Sequence, residues 1–240
     1  MYAERPPAPD LADRLACVWH RVAESDKTQL VVPDACVDLI WGPGGPFVAG
    51  PDTGPMPTSM AAGDTFVGIR FKPGAVGEVF GVPPAELRDR RVPLSALPGL
   101  RLPEAVGGPA GRTESGVRLA VMRAAVRARL RQSPADTAAP GIAAALRSGR
   151  TVAEVAWDLG FSERQLNRRS LAAFGYPPKV LQRIVRFQRA LTLARSGLPL
   201  ADVAIEAGYA DQAHLSHDVK RLSGVPIRRL VPKPATQRPA

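Results

Sequence analysis

The chain has 240 residues, 45% of them apolar and 22% charged, which is too apolar for a disordered protein and suits one large domain or two ordinary ones. Lys and Arg total 32 against 22 Asp and Glu, and the net charge of +10 favours a polyanionic partner, nucleic acid ahead of an anionic membrane. Two cysteines are too few for a disulfide framework or a thiolate-built zinc site, and no run approaches the roughly 18 apolar residues of a spanning helix.

The first ten residues hold Glu4, Arg5 and three prolines, which do not make a signal peptide, so a cytoplasmic protein is expected. Asp10 is expected to cap a short helix over Leu11–Ala16. Extended runs follow at Cys17–Val22, Thr28–Val32, Ala35–Trp41, Phe47–Ala49 and Thr65–Phe71, divided by Pro33-Asp34, the Gly/Pro run 42–46 and Pro73-Gly74. Short strands between such turns indicate a small β-barrel or sandwich. Within it, Asp34 and Asp38 flank Cys36, where turn capping by Asp34 is a plainer account than chemistry. His20, beside Trp19, reads as a surface or satisfied core residue. Trp19, Trp41, Phe66, Phe71 and Phe80 fill a core or line an apolar pocket, and the sequence leaves both open.

Val76–Phe80 and Pro84–Arg88 read as helical turns, and Gly116–Arg131 as a helix with Val117, Val121, Ala124 and Ala128 on one face. Its arginines (Arg118, Arg123, Arg127, Arg129, Arg131) read as a solvated face or a dimerisation flank ahead of a phosphate surface. Residues 132–140 have no apolar period and two prolines, so they are expected to link two domains. Charge divides at the same place: residues 1–140 hold 16 Lys/Arg and 15 Asp/Glu, residues 141–240 hold 16 and 7.

The basic half contains a repeat. Val152-Ala-Glu-Val-Ala-Trp-Asp-Leu-Gly-Phe-Ser162 aligns with Leu200-Ala-Asp-Val-Ala-Ile-Glu-Ala-Gly-Tyr-Ala210 at a spacing of 48. Each copy has the pattern of a helix-turn-helix. Val152, Val155, Ala156 and Leu159 pack the first helix, Gly160 supplies the turn, and Ser162 with Gln165 forms a capping box for a second helix over Glu163–Phe174. In the other copy Gly208 turns, Asp211 caps, and the second helix runs from Gln212 to about Leu222. These second helices present base-pairing residue types opposite their apolar faces: Arg164, Gln165, Asn167 and Arg168 in one, Gln212, His214, Ser216 and His217 in the other. Ser162, Arg169, Lys179, Lys220 and Arg221 read as phosphate contacts. Between the copies, Val180, Leu181, Ile184, Phe187, Leu191 and Ala194 recur at helical spacing, so a helix over 178–195 spans about 27 Å. Such a rod sets two readers for successive major grooves, about 34 Å apart.

Gly160-Phe-Ser-Glu-Arg-Gln-Leu166, Arg186-Phe-Gln-Arg-Ala-Leu191 and Gly208-Tyr-Ala-Asp-Gln-Ala-His-Leu215 resemble the DNA-binding domain of AraC/XylS-family transcriptional regulators, over residues 141–230. The resemblance implies a two-lobed seven-helix domain that binds double-stranded promoter DNA and works with RNA polymerase. By motif position Arg164, Asn167, Arg168, Gln212, Ser216 and His217 fall where that family contacts bases. Three positions depart from the pattern: Ser170 replaces an aromatic core residue, His217 replaces an arginine, and Gly224-Val-Pro-Ile227 is one residue short before its proline. Leu30-Val-Val-Pro-Asp-Ala-Cys-Val-Asp-Leu-Ile40, Val48-Ala-Gly-Pro51 and Gly68-Ile-Arg-Phe-Lys-Pro-Gly74 resemble the small sensor-like domain fused to some of these regulators, for which a cupin-like barrel is expected.

The expectation is therefore an α+β chain: a β-rich sensor or dimerisation domain over 1–131, a linker over 132–140, an all-α double helix-turn-helix domain over 141–230, and a flexible tail over 231–240. Its function is that of a sequence-specific DNA-binding transcriptional regulator without catalysis, cofactor, metal or membrane partner, with room for a small-molecule effector and a homodimer. Two alternatives stand beside it: a DNA-modifying or alkyl-transfer enzyme using Cys17 or Cys36, and a sequence-neutral DNA binder. His214 and His217 lie three apart, but the pattern offers no third metal ligand.

Overall fold

The computed structural model describes residues 1–103, 112–132 and 136–231. The first part is a sheet of six antiparallel strands in the order β1-β2-β7-β4-β5-β8, accompanied by a two-stranded β3-β6 ribbon. The strands are β1 (Tyr2–Arg5), β2 (Leu15–Val22), β3 (Lys27–Val31), β4 (Val37–Gly42), β5 (Gly45–Ala49), β6 (Met56–Met60), β7 (Thr65–Phe71) and β8 (Arg91–Pro93). β7 sits centrally, and alternation along it sends Val67, Ile69 and Phe71 into an apolar core with Leu39, Val48 and Phe80. The opposite face carries Phe66, Gly68 and Arg70. Arg70 stands between Cys17 on β2 and Asp38 on β4 in the strand register.

Helix α1 (Pro84–Leu87) precedes β8, and α2 (Arg112–Gln132) packs on β7 with Met122 and Val126 buried. Three α2 arginines are engaged inside this region: Arg118 with Glu114, Arg127 with Asp10, and Arg129 with the Glu78 carbonyl. The helix expected over Leu11–Ala16 is instead a short 3-10 turn over Pro9–Leu11, after which β2 begins at Leu15. The physical reason is that Asp10 pairs with Arg127 across the fold rather than capping, and Leu15 is buried in the sheet core. Val76–Phe80 closes isolated turns with Val79 N–H to Val76 O at 3.3 Å and does not continue as a helix.

The helical region begins with α3 (Ala139–Arg147), so the helix starts inside the segment expected as linker, and α2 reaches Gln132. Pro140 sits in its first turn, where the missing N–H costs nothing. Then come α4 (Val152–Asp158), α5 (Glu163–Phe174), α6 (Pro178–Arg195), α7 (Leu200–Ala207), α8 (Gln212–Ser223) and α9 (Ile227–Leu230). Leu181, Ile184, Phe187 and Leu191 of α6 are buried and join both helix-turn-helix units in one core. The tail expected over 231–240 lies almost entirely outside the described residues.

The two regions touch through specific groups. Pro84 of α1 lies under the C-terminus of α5, so close that a Cβ on Gly175 would fall 2.8 Å from the Pro84 carbonyl oxygen. Arg88 donates to the Gly175 carbonyl at 3.2 Å, and Gln188 of α6 donates to the Pro33 carbonyl at 2.5 Å. Ala35, from the β3–β4 loop, is buried among the residues of the helical core.

Candidate nucleic-acid interface

Each helix-turn-helix is fixed by local chemistry. Gly160 and Gly208 take φ of 65° and 84°, the left-handed backbone that a Cβ disfavours, and each follows a helix that presents a buried Val-Ala pair to its neighbour. Ser162 accepts from the Gln165 N–H at 3.2 Å while Gln165 accepts from the Ser162 N–H at 2.8 Å, closing a reciprocal capping box on α5. Asp211 accepts from the His214 N–H at 2.7 Å and caps α8. Both second helices end on left-handed glycines, Gly175 and Gly224. A second capping box, Thr151 with Glu154, opens α4; its Thr-x-x-Glu spacing carried that signal in the sequence.

Burial then decides which face each helix offers. On α5, Leu166, Ser170, Ala173 and Phe174 point inward, while Arg164, Gln165, Asn167 and Arg168 are exposed. On α8, Leu215, Asp218, Val219 and Leu222 point inward, while Gln212, His214, Ser216, His217, Lys220 and Arg221 are exposed. Ser162 and Lys179 are exposed as well.

The exposed candidates are not equivalent. Gln165 already accepts in the capping box, which leaves its amide nitrogen to reach outward. The His214 ring stands edge-on to Tyr209 at 5.1 Å and its Nδ1 faces the Ala210 N–H at 3.4 Å, so it closes the turn of the second unit. Arg169 is half-buried, its guanidinium 4.6 Å above the Phe161 ring and 3.9 Å from Asp136, a protein partner that a phosphate has to displace. Arg164, Asn167 and Arg168 on α5, with Gln212, Ser216 and His217 on α8, make no side-chain hydrogen bond or ion pair with the described residues.

Ser170 shows how the first unit does without an aromatic there. Its hydroxyl donates to the Tyr176 carbonyl at 2.8 Å, and Tyr176 and Phe174 are themselves buried beside it. A network not read from the sequence braces the second unit: Arg186 of α6 donates to Asp218 of α8 at 3.2 Å and lies 4.3 Å over the Tyr209 ring. Burial, with Asp218 next, raises the Tyr209 phenol, so it stays neutral. Arg186 opens the Arg186–Leu191 motif, but its partner is 32 residues away and no local pattern names it.

Residues 159–231 match a family model described as a helix-turn-helix domain, and residues 3–93 match one described as a domain of unknown function (DUF6597). Among solved structures, the C-terminal domain of AraT, a response regulator from Geobacillus stearothermophilus, is 25% identical, covers 41% of this chain and 93% of its own, and gives a TM-score of 0.36. An apo ToxT variant from Vibrio cholerae is 10% identical over 89% of this chain and 96% of its own, with a TM-score of 0.48. Wild-type ToxT from Vibrio cholerae with an unsaturated fatty acid bound is 11% identical over 89% and 92%, with a TM-score of 0.45. No curated protein matches the chain.

Proposed function

We infer that this chain is a DNA-binding transcriptional regulator of the AraC/XylS type, which reads one asymmetric duplex site through α5 and α8 held in register by α6. The observation that carries the reading is that each unit offers uncommitted polar side chains of base-pairing type, and that both units share one core along an unbroken 18-residue helix. At about 1.5 Å per residue α6 is about 27 Å long, near the repeat of successive major grooves. Arg164, Asn167 and Arg168 on one helix and Gln212, Ser216 and His217 on the other are the proposed base readers, with Gln165 and His214 contributing beside them. Ser162, Lys179, Lys220 and Arg221, and Arg169 after release from Asp136, are the proposed phosphate contacts.

The division of labour proposed is a β-rich sensor over 1–131 and a DNA-binding domain over 141–230, acting on promoter DNA and RNA polymerase, with a small molecule as effector and a second copy of the chain as partner. Among the described residues no helix is long and apolar enough to cross a membrane. The thiols argue against an enzymatic role for the cysteines. Burial pushes the Cys17 thiol up to about 11 and the Cys36 thiol well above its ordinary value, so neither is a ready thiolate at neutral pH.

Selection of duplexes from a random pool with the full chain tests the function. A single consensus with two conserved blocks about one helical turn apart is expected, and recovery of unenriched sequence overturns sequence-specific reading. On the selected duplex, Arg168→Ala is expected to cost about 1–3 kcal/mol and relax specificity at one position, whereas Lys220→Ala weakens selected and random DNA alike. Equal losses for Arg168→Ala on both refute base reading there.

A further inference from the structure

The polar face of the six-stranded sheet is the floor of a cavity of about 700 Å³, a size that suits a small organic molecule. β3 and β6 supply Leu30, Met56 and Met60, and Gln188 and Arg195 of α6 reach its edge, so both regions line it. Trp19, Ile40, Phe47 and Phe66 form the apolar part. The indole of Trp19 lies flat across β7 only because residue 68 is glycine: a Cβ there would stand 2.1 Å from the ring.

The carboxylates of this floor are largely held by arginine, while Arg21 lies over the Tyr2 ring and Arg195 stands at the edge. Asp52 is held by both terminal nitrogens of Arg91 at 2.9 and 2.7 Å. Asp38 accepts from the Trp19 indole at 3.1 Å and from Arg70 at 3.1 to 3.3 Å, using both oxygens. One gap remains. Arg70 Nη1 faces Asp34 Oδ2 at 3.6 Å and Glu4 at 4.0 Å, both beyond a hydrogen bond, while the other Asp34 oxygen is taken by the Cys36 N–H at 2.9 Å. The floor thus offers one spare donor beside one spare acceptor. Burial opposes the charge on Arg70, and Asp38 and Asp34 outweigh it, so the guanidinium stays protonated.

We propose that this cavity binds an uncharged amphipathic molecule whose hydroxyl or amide head accepts from Arg70 and donates to Asp34 while its apolar body lies against Trp19, Ile40 and Phe66. A carboxylate gains Arg70 but meets the like charge of Asp34; an ammonium gains Asp34 but meets Arg70. Only a neutral head that both gives and takes a hydrogen bond uses the pair as it stands. The same loop explains how occupancy is felt elsewhere. Asp34 lies between Pro33, whose carbonyl holds Gln188 of α6, and Ala35, which is buried in the helical core at a strained φ of 66°. A head group that draws Asp34 therefore pulls on two contacts to the DNA-binding region.

The inference deepens the sensor reading of residues 1–131 and rests on it. Its test is calorimetric titration of the full chain with biphenyl-4-carboxamide, biphenyl-4-carboxylate and biphenyl-4-ylmethylammonium, three heads on one body. The carboxamide is expected to bind at least about tenfold more tightly than either ion. Asp34→Asn, which removes the like charge and keeps Arg70, is expected to raise carboxylate binding to the level of the carboxamide or above it. A tighter ion, an equal ranking, or no binding of any probe overturns the proposal. So does undiminished carboxamide binding in Ile40→Trp, which fills the cavity without touching the charged groups. The wild-type ranking and the Ile40→Trp result stand whether or not the Asp34 variant folds. Duplex selection with the same protein separates the two readings: specific DNA binding without carboxamide binding removes the ligand alone, and the reverse removes the regulator and keeps the ligand.

Discussion

Asp218 is a buried carboxylate on α8, directly before Val219 of the core and directly after the exposed His217. It accepts from Arg186, whose guanidinium lies over the Tyr209 ring, so three elements meet at one charge pair. Removing the carboxylate leaves a partly buried guanidinium without a charged partner and frees α8 to rotate on α6. Asp218→Ala is expected to destabilise the protein by about 2 kcal/mol, with Asp218→Asn losing less because the amide oxygen still accepts. The readout that separates positioning from general stability is the selected duplex. Contacts protected by α8 should weaken while those protected by α5 persist, and a uniform loss at both blocks contradicts the role given to Asp218. A second residue-scale expectation concerns the thiols. With burial raising both, iodoacetamide at neutral pH should label native Cys17 and Cys36 far more slowly than the urea-unfolded chain; rapid native labelling of Cys36 reopens a nucleophilic role.

Caps and turns act over three or four residues, which is why so much of the helical region can be read along the chain. Ser162 with Gln165, Asp211 before Gln212, and the glycines at 160, 175, 208 and 224 each have their partner within a turn, and α5 and α6 run over the residues that periodicity assigns them. Ser162→Ala should therefore cost about 1 kcal/mol by chemical unfolding, and it also releases the Gln165 side chain from its cap. An unchanged midpoint contradicts a capping role. The sheet was less legible for the converse reason. β1 is a four-residue edge strand exposed along its length, β6 carries Pro57, and β8 has three residues, so none announces itself by a run of alternating apolar residues in sequence. Arg70 illustrates the same limit at the cavity. Asp34, Cys36 and Asp38 stand out within five residues of sequence, but their partner comes from another strand through register, 32 residues beyond Asp38. Trp19 and Phe66 turn to the cavity while Phe71 and Trp41 turn to the core, a choice set by one-residue alternation on paired strands.

At the scale of the molecule the question is whether the β-rich and helical regions respond as one body. Ala35 lends a methyl to the helical core, Gln188 and Arg88 each donate one hydrogen bond to a backbone carbonyl across the boundary, and Gly175 allows α1 to approach α5 without a side chain between them. Gly74 also sits against Phe174 and Ala139, and Val32 packs on the helical core, while two of the contacts are single hydrogen bonds worth about 1 kcal/mol each. The regions are therefore coupled strongly enough to unfold together and weakly enough for a bound molecule to alter the coupling. Scanning calorimetry of the full chain should show one transition. Gln188→Ala combined with Arg88→Ala removes both bonds and leaves each core intact, so the same scan should broaden or split into two transitions, with the cavity ligand raising only the one that belongs to the β-rich region. Gly175→Ala attacks the boundary differently. It forces a Cβ onto a left-handed backbone against Pro84, at a cost of about 1–3 kcal/mol, and should separate the transitions while also loosening the end of α5. If the double variant keeps a single sharp transition and its ligand response is unchanged, the signal does not pass through the 33–35 loop and α6, and another route has to join the two halves.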